Sequence, residues 1–375
     1  MMHRGIATFG LDEGRCPKWL FERMTNLSRQ AIEIIVAEFG ADEFIKRLGD
    51  PAWFQSLGTV LAFDWNASGL TTILTAALKE AVRGRERELG IFVCGGKGRT
   101  SRKTPEEIRR WGSWLTLPEK NSETLVYNSK MAAKVDSALV QDGFQLYHHA
   151  FFFSKTGAWT VVQQGMNTKT ASARRYHWYS ANMKDLINEP HTGIMSSMRY
   201  KKVLDLTAQA SMKNRNTSLA LTGQGFGSLW KDIRILYNHS TSLNQTLALK
   251  FKGDTLTSLN LEQKEFTWHP VVEENFFESP YLKKILDKVC GYHPKSYEEM
   301  VSLQGVGAKT VRALTLVAEV LYGAKPSYQD PARYSFAFGG KDATPYPVDR
   351  PTYDASLKLI AEAVRRYQTK SVFIK

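Results

Sequence analysis

Apolar residues recur with helical spacing in the first part of the chain. They do so over residues 31–39 and again over residues 74–82, which predicts two amphipathic helices. Between these helices, an apolar run at residues 57–63 precedes Asp64, Asn66 and other polar residues. A short apolar run that ends in turn-forming residues is typical of a strand, so we expect a strand, a turn and then a helix here.

The same order of strand, turn and helix is predicted in the next part of the chain. Residues 91–94 are strand-like, residues 95–99 are rich in glycine, and Thr104 begins a helix with proline at its first position. Farther on, apolar and aromatic residues at 145–154 and 159–164 flank a turn-like Lys-Thr-Gly sequence and predict a β-hairpin. Strands that alternate with helices favour an α/β layer.

From residue 276 onward the apolar spacing is helical. We therefore expect an α/β (or α+β) domain with the hairpin over residues 1–275 and an all-helical domain over residues 276–375. The helices of the second domain are predicted near residues 281–290, 297–303, 310–322 and 352–366.

The composition narrows the class of protein. Of the 375 residues, 43% are hydrophobic and 23% are charged, which is the balance of a soluble globular protein. The formal net charge of +13 favours a polyanionic partner. No apolar run is long enough for a membrane helix, so we expect no membrane partner. The three scattered cysteines predict a reducing, cytoplasmic setting, without a zinc quartet or an iron–sulfur cluster.

A glycine-containing turn between two predicted helices carries the clearest chemistry. Gly305 and Gly307 allow a tight turn whose backbone N–H groups point outward at the start of the next helix, where the helix dipole favours a phosphate. Val306 anchors this turn in the core, and Lys309 and Thr310 follow at the helix start. The turn therefore predicts contacts with a nucleic-acid backbone that do not depend on the base sequence.

Residues 296–323, which contain this turn, resemble the helix-hairpin-helix of DNA repair proteins, including base-excision glycosylases, ligases and structure-specific nucleases. The resemblance implies DNA binding. In bifunctional glycosylases of this kind a catalytic lysine stands at the position of Lys309, and an aspartate follows in a Val-Asp step that is matched here by Asp349. The lysine would attack the sugar as a Schiff-base nucleophile, and the carboxylate would stabilise the positive charge that develops there. The alternative is that Lys309 only contacts phosphate and Asp349 only caps a helix.

A cluster of polar residues occupies the middle of the chain. Folding the hairpin about Thr156 places His149 opposite Gln163 and His148 opposite Gln164. Because unpaired polar groups are costly to bury, we expect these side chains at a surface edge or in a cleft rather than in a core. The cluster comprises Asp136, Asp142, His148, His149, Gln163, Gln164, Arg174, Arg175 and His177.

One functional hypothesis for this cluster is metal-dependent cleavage of a phosphodiester. Asp136, Asp142 and His149 would then hold a divalent metal. Asp142 and either His148 or His149 would be the catalytic groups. The alternative without a function is a solvated sheet face with surface arginines.

A second hypothesis is that the cluster receives a base extruded from DNA. Gln163 and Gln164 would bind that base, while Arg174 and Arg175 would contact phosphates. The glycine-rich stretch before Thr104 looks like an anion-binding turn ahead of a helix. It would add two further contacts with nucleic acid, Lys97 and Arg99.

Several strings spread along the chain together resemble DUF763, a broadly distributed prokaryotic family of unknown function. These strings lie at residues 95–98, 141–149, 163–167, 174–178 and 335–342. The resemblance implies that the polar cluster is a feature of that family, and it implies no particular activity.

The sequence as a whole predicts a DNA-binding protein, with three possible activities. The first is a DNA-repair enzyme that acts on damaged or distorted DNA with glycosylase or AP-lyase chemistry. The second is a metal-dependent, structure-specific nuclease, and the third is a non-catalytic nucleic-acid-binding protein. A divalent metal is the one cofactor expected, and only for the nuclease.

Overall fold

The protein is represented by a computed structural model that describes residues 16–61, 69–196, 199–240, 247–251, 254–259, 276, 279–332 and 354. The chain divides into two compact units. Unit 1 comprises Met1–Ser137, Gln141–Val203 and Gln329–Lys375, and unit 2 comprises Ala138–Val140 and Leu204–Tyr328. The helices on both sides of residue 275 belong to unit 2. A domain boundary at 275/276 adjoins residues outside the described part of the chain and stays a prediction.

Unit 1 begins with a group of helices. Asp50 starts the third of them, because its carboxylate accepts hydrogen bonds from Ala52 N (2.7 Å) and Trp53 N (3.1 Å) and Pro51 fixes the first helical position. Apolar stripes of these helices, with residues such as Ile32, form one buried cluster. The helices are α1 (Lys18–Phe39), α2 (Ala41–Leu48), α3 (Pro51–Val60), α4 (Gly69–Val82) and α5 (Glu86–Leu89).

The strand that we predicted at residues 57–63 is wrong. Its first residues belong to α3, which continues to Val60. Phe54, Leu57 and Leu61 are buried and lie three and four residues apart, so their spacing is that of one helical face. A short apolar run fits a strand and a buried helix equally well, and packing against the neighbouring helices decided between them.

The helices are followed by a five-stranded antiparallel sheet. Its strand order is β1-β3-β4-β5-β6, so each strand after β1 pairs with the next large strand along the chain. The N-terminal region is therefore a group of helices with an antiparallel sheet and hairpins. The next elements along the chain are β1 (Ile91–Lys97), a 3-10 helix (Gly98–Lys103), α6 (Thr104–Trp114), α7 (Glu119–Ala138), β2 (Val140–Gln141), β3 (Gln145–Ser154), β4 (Trp159–Asn167), β5 (Ser172–Tyr179) and β6 (His191–Ser196). All belong to unit 1 except the last residue of α7 and the first residue of β2, which belong to unit 2.

The predicted hairpin is confirmed, including its register. His149 pairs with Gln163 and His148 pairs with Gln164 across β3 and β4. Successive side chains of a strand point to opposite faces, and both faces of this sheet are covered. Phe152 packs into the cluster formed with α1–α4, whereas Phe92 on the other face contacts Trp111 of α6. All eight residues of β5 are buried as a result.

Unit 2 is largely helical. Ser279 caps its helix α10, and Ser296 caps α11 by accepting a hydrogen bond from Glu299 N (3.0 Å). The helices predicted near 281–290, 297–303 and 310–322 are confirmed, and the one near 352–366 lies outside the described residues apart from Asp354. The elements are β7 (Leu204–Asp205), α8 (Met212–Gly223), α9 (Phe226–Ser240), β8 (Leu247–Phe251), β9 (Asp254–Leu259), α10 (Pro280–Tyr292), α11 (Tyr297–Ser302) and α12 (Ala308–Val320). Across the described part of both units, none of the helices has the length and apolar character to span a membrane.

Candidate functional site

The candidate site in unit 2 is the turn between α11 and α12, residues 303–307, here called the Gly305 turn. Gly305 has a φ angle of +97°, a left-handed conformation that side chains other than glycine rarely adopt. A Cβ atom at this position would also lie 2.3 Å from Ile285 Cδ1. Val306 is 2% exposed and anchors the turn from below. This backbone therefore requires glycine at position 305.

Helix α12 begins directly after this turn. Gly307 is its N-cap residue in an extended conformation, and its carbonyl accepts the first helical hydrogen bond from Val311 N (3.0 Å). The N-cap residue, a glycine, has no side chain that could cap this helix, and the first turn contains no acidic residue. The positive end of the helix dipole is thus not neutralised by a carboxylate in the first turn of the helix.

Basic side chains lie beside the Gly305 turn. Lys309 is exposed in the first turn of α12. Lys288 of α10 donates a hydrogen bond from Nζ to Gln304 O (3.1 Å), which holds its charge against the turn. Lys284 is exposed one helical turn earlier on α10. Thr310, which we expected to contact nucleic acid, is 2% exposed, so its hydroxyl group is not available at the surface.

The catalytic hypothesis for this turn required an amine that is shielded from water. Such shielding lets a lysine lose its proton and act as a nucleophile. Lys309 is exposed and therefore hydrated. Asp349, its predicted partner, lies outside the described residues, so the described part of the chain does not assemble a lysine–aspartate pair.

The polar cluster of unit 1 is buried, and the expectation of a surface edge or cleft is wrong. Gln163, Gln164 and Arg174 have an exposed fraction of 0%, and that of Arg175 is 1%. They form hydrogen bonds with neighbouring side chains of the sheet and of the helices on its two faces. Neither arginine is available to a phosphate at the surface, and neither glutamine can receive a base there.

One chain of hydrogen bonds runs across the sheet face that α7 covers. His149 Nε2 lies 2.8 Å from Ser129 Oγ, and its Nδ1 lies 2.9 Å from Gln163 Oε1. Since an amide oxygen can only accept, Nδ1 carries the proton of the neutral ring and Nε2 accepts from the serine. Gln163 Nε2 donates to Asp136 Oδ2 (2.5 Å), and Asp136 Oδ1 lies 2.5 Å from His191 Nε2. Burial lowers the pKa of His149, which keeps the ring neutral.

Asp142 is the counter-ion of a buried arginine. Arg174 Nη1 donates to Asp142 Oδ2 (3.0 Å), and Tyr176 donates its hydroxyl proton to the same oxygen (2.7 Å). Arg174 also forms a bidentate pair with Asp330, at 3.0 and 2.8 Å. Burial raises the pKa of Asp142, although the guanidinium and the tyrosine favour its charged form. Sequence reasoning missed Asp330, because nothing local marks a partner 156 positions away.

These contacts explain why the predicted metal site does not form. The carboxylates of Asp136 and Asp142 are engaged by separate sets of donors, and both ring nitrogens of His149 are hydrogen-bonded. In the part of the chain that the structure describes, no group of three or more His, Cys, Asp or Glu residues could hold a metal ion.

The opposite face of the sheet carries the remaining polar residues. His148 Nε2 contacts Thr75 Oγ1 of α4 (3.1 Å), and burial lowers the pKa of this histidine to about 3. Arg175 donates to Gln55 Oε1 (2.8 Å) and packs on Phe54, and burial lowers its pKa to about 9. His177 Nδ1 donates to a backbone carbonyl of α2, that of Leu48 (3.0 Å). His148, the remaining catalytic candidate, is thus an interior residue.

The glycine-rich stretch at residues 95–99, whose first half belongs to β1, differs from the anion-binding turn that we predicted. The amide of Gly95 already donates to a carboxylate, Glu107 Oε2 of α6 (2.6 Å), and Lys79 forms an ion pair with the same group (2.8 Å). An anion would have to compete with this carboxylate for the amide. Lys97 and Arg99 are exposed and remain able to contact a polyanion through their side chains.

Comparisons with known proteins identify the family of the chain. No curated protein and no solved structure gives a significant match. The sequence profile of a family described as "Protein of unknown function (DUF763)" matches residues 5–348 of the 375. The match covers the helices and sheet of unit 1 as well as the Gly305 turn of unit 2. The chain therefore belongs to the DUF763 family.

Proposed function

We propose that the protein binds DNA through the Gly305 turn, which contacts the phosphate backbone without reading the base sequence. The observation that carries the proposal is the start of α12. Its N-cap residue is a glycine, its first turn has no acidic residue, and it directly follows a turn that Gly305 makes tight. Backbone amides at such a helix start favour an anion through both hydrogen bonds and the helix dipole.

The start of the preceding helix, α11, differs in charge from the start of α12. The start of α11 is capped by Ser296 and carries Glu298 and Glu299 in its first turn, so negative charge already complements that helix dipole. Near the start of α12, the described residues Lys309 and Lys288 instead carry positively charged ammonium groups. A phosphate is thus favoured at the start of α12 and disfavoured at the start of α11.

Binding, rather than catalysis, is the function that this geometry supports. Metal-dependent cleavage lacks a ligand cluster among the described residues. Lyase chemistry lacks a shielded amine, because Lys309 is exposed. The excess of positive charge, +13 over the chain, is in keeping with a polyanionic partner.

The proposal is tested by measuring the affinity of the full chain for two labelled duplexes of unrelated sequence by fluorescence anisotropy. We expect similar affinities for the two duplexes and a steep loss of affinity between ~50 and ~200 mM salt. Lys309→Gln should reduce the slope of log K against log salt by about 1. The salt slope of the double variant Lys97→Gln/Arg99→Gln shows whether unit 1 adds phosphate contacts of its own.

Lys325→Gln is the matched control, since Lys325 is exposed in unit 2 beyond the opposite end of α12 and its loss changes the net charge equally. If Lys309→Gln and Lys325→Gln have the same effect, or if no duplex binds, the proposal is wrong. The same Lys309 variant examines the lyase hypothesis. With abasic DNA we expect borohydride to trap no more adduct with the wild type than with the variant.

A further inference from the structure

An exposed tyrosine stands at the Gly305 turn. Tyr281 of α10 has an exposed fraction of 61%, which is high for a large aromatic side chain. Lys284 and Lys288 follow it three and seven residues later, so all three share one face of the helix. This face, here called the Tyr281 stripe, combines one aromatic ring with two positive charges.

Two hydrogen bonds place the Tyr281 stripe against the turn. Tyr281 donates its hydroxyl proton to Gly305 O (3.3 Å), and Lys288 Nζ donates to Gln304 O (3.1 Å). Two carbonyl groups of the turn, those of Gln304 and Gly305, are therefore engaged by donors from α10, which reduces their repulsion of a phosphate. The ring of Tyr281 consequently lies next to the amides at which a phosphate is expected.

We infer that the Gly305 turn accepts a DNA strand with an unstacked base, single-stranded or at a break in a duplex, and that this base stacks on Tyr281. This inference rests on the proposed function of the turn. A phosphate beside the turn leaves the base of the same strand within reach of the exposed ring. In an intact duplex the faces of the bases are covered by their neighbours, so only an unstacked base can use the ring.

The charges on α10 favour a DNA strand along the Tyr281 stripe. Lys284 and Lys288 are exposed along the stripe, and Asp287 is the acidic residue of this helix. At the far end of α10, Tyr292 is also exposed (52%), but it donates its hydroxyl proton to Glu299 Oε1 (3.1 Å). The carboxylate of Glu299 beside that ring repels phosphate, so we expect no DNA strand to bind at Tyr292. Tyr292 therefore serves as a control, an exposed tyrosine of the same helix outside the proposed site.

The experiment compares the full chain with Tyr281→Ala, Tyr281→Phe and Tyr292→Ala. Fluorescence anisotropy measures their affinity for a single strand, for an intact duplex and for a duplex with a central gap. We expect the wild type to prefer the single strand and the gapped duplex. Tyr281→Ala should weaken binding of these two ligands by roughly 10-fold or more, because stacking on one ring is lost.

The controls separate stacking from other roles of the tyrosine. Tyr281→Phe keeps the ring and loses only the bond to Gly305 O, so it should retain the preference, and Tyr292→Ala should bind like the wild type. Tyr281→Ala should leave the salt slope unchanged, because stacking displaces no counterions. Thermal unfolding checks that the variants are folded.

The inference is overturned if the wild type binds intact duplex as tightly as the other ligands. It is equally overturned if Tyr281→Phe loses as much affinity as Tyr281→Ala, since the hydroxyl bond would then matter instead of the ring. In either case a reduced salt slope for Lys309→Gln would leave the backbone contact standing. If no DNA binds at all, the proposed function fails together with the inference.

Discussion

Replacing Gly305 by alanine tests directly how the turn is built. The φ angle of +97° costs an alanine about 1–2 kcal/mol, because its Cβ is crowded by the backbone in this region. The new Cβ would also meet Ile285 Cδ1 at 2.3 Å. Ile285 is 6% exposed, and overpacking of this kind costs about 1–3 kcal/mol. Cδ1 is the free end of its side chain and can shift, so we expect a total loss of about 2–3 kcal/mol.

The free energy of unfolding is measured by urea denaturation of the full chain. Amide hydrogen exchange across α11 and α12 then assigns the loss to unit 2. Gly307→Ala is the matched control two residues away. Its φ angle of −147° is ordinary extended backbone, and no atom lies within 4 Å of its added Cβ. It should therefore cost only about 0.5–1 kcal/mol, the loss expected when alanine replaces glycine at an N-cap, and less than Gly305→Ala.

A double-mutant cycle separates the two causes of the loss. Ile285→Val removes Cδ1 and should cost about 0.5–1.5 kcal/mol alone. Combined with Gly305→Ala, it should cost less than the sum of the single changes, because the steric part disappears and the φ strain remains. Equal stability of Gly305→Ala and Gly307→Ala would refute this account of the turn. Strict additivity in the cycle would refute its steric part.

Two further predictions concern the buried polar groups of unit 1. Arg174→Met leaves Asp142 and Asp330 as uncompensated buried charges. Urea denaturation should therefore show that the free energy of unfolding falls by about 3–5 kcal/mol. A decrease of less than about 1 kcal/mol would contradict the contacts described above. His148 has a pKa lowered from 6.5 to about 3 when folded, chiefly by burial and also by His149 and Lys97. The unfolded chain therefore binds a proton that the folded chain does not, and this part of the stability is present above pH 6.5 and lost as the pH falls toward 3. Between these values the stability of the wild type should fall more steeply than that of His148→Gln, by up to about 1.4 kcal/mol per pH unit, and parallel curves would contradict the burial of a neutral ring.

Local chemistry made much of the fold predictable. Alternating side chains and the Lys-Thr-Gly turn fixed both the hairpin and its register, because the period of a strand is two and a slip would reverse every side chain. Ser296, a capping residue, marked the start of α11, and the glycines at 305 and 307 marked the turn at which α12 starts. These signals act between residues that are near in sequence, so one sequence suffices to find them.

The exposure of the polar cluster could not be found in this way. The sequence placed His149 and Gln163 on one sheet face and His148 and Gln164 on the other, and the structure agrees. It did not reveal that α7 covers the first face and α1–α4 the second. Polar groups that would be costly to bury alone are stabilised in the interior by partners such as Asp136.

The sequence by itself therefore determined the elements near the Gly305 turn, the need for glycine within it and the pairing of the central strands. Tertiary structure decided which side chains reach solvent. In the folded protein, Arg174 is buried beside Asp330, and Tyr281 of α10 lies against the Gly305 turn. The physical reason is that helix starts, turns and strand pairing depend on a few neighbouring residues, whereas burial depends on every element that packs against a surface.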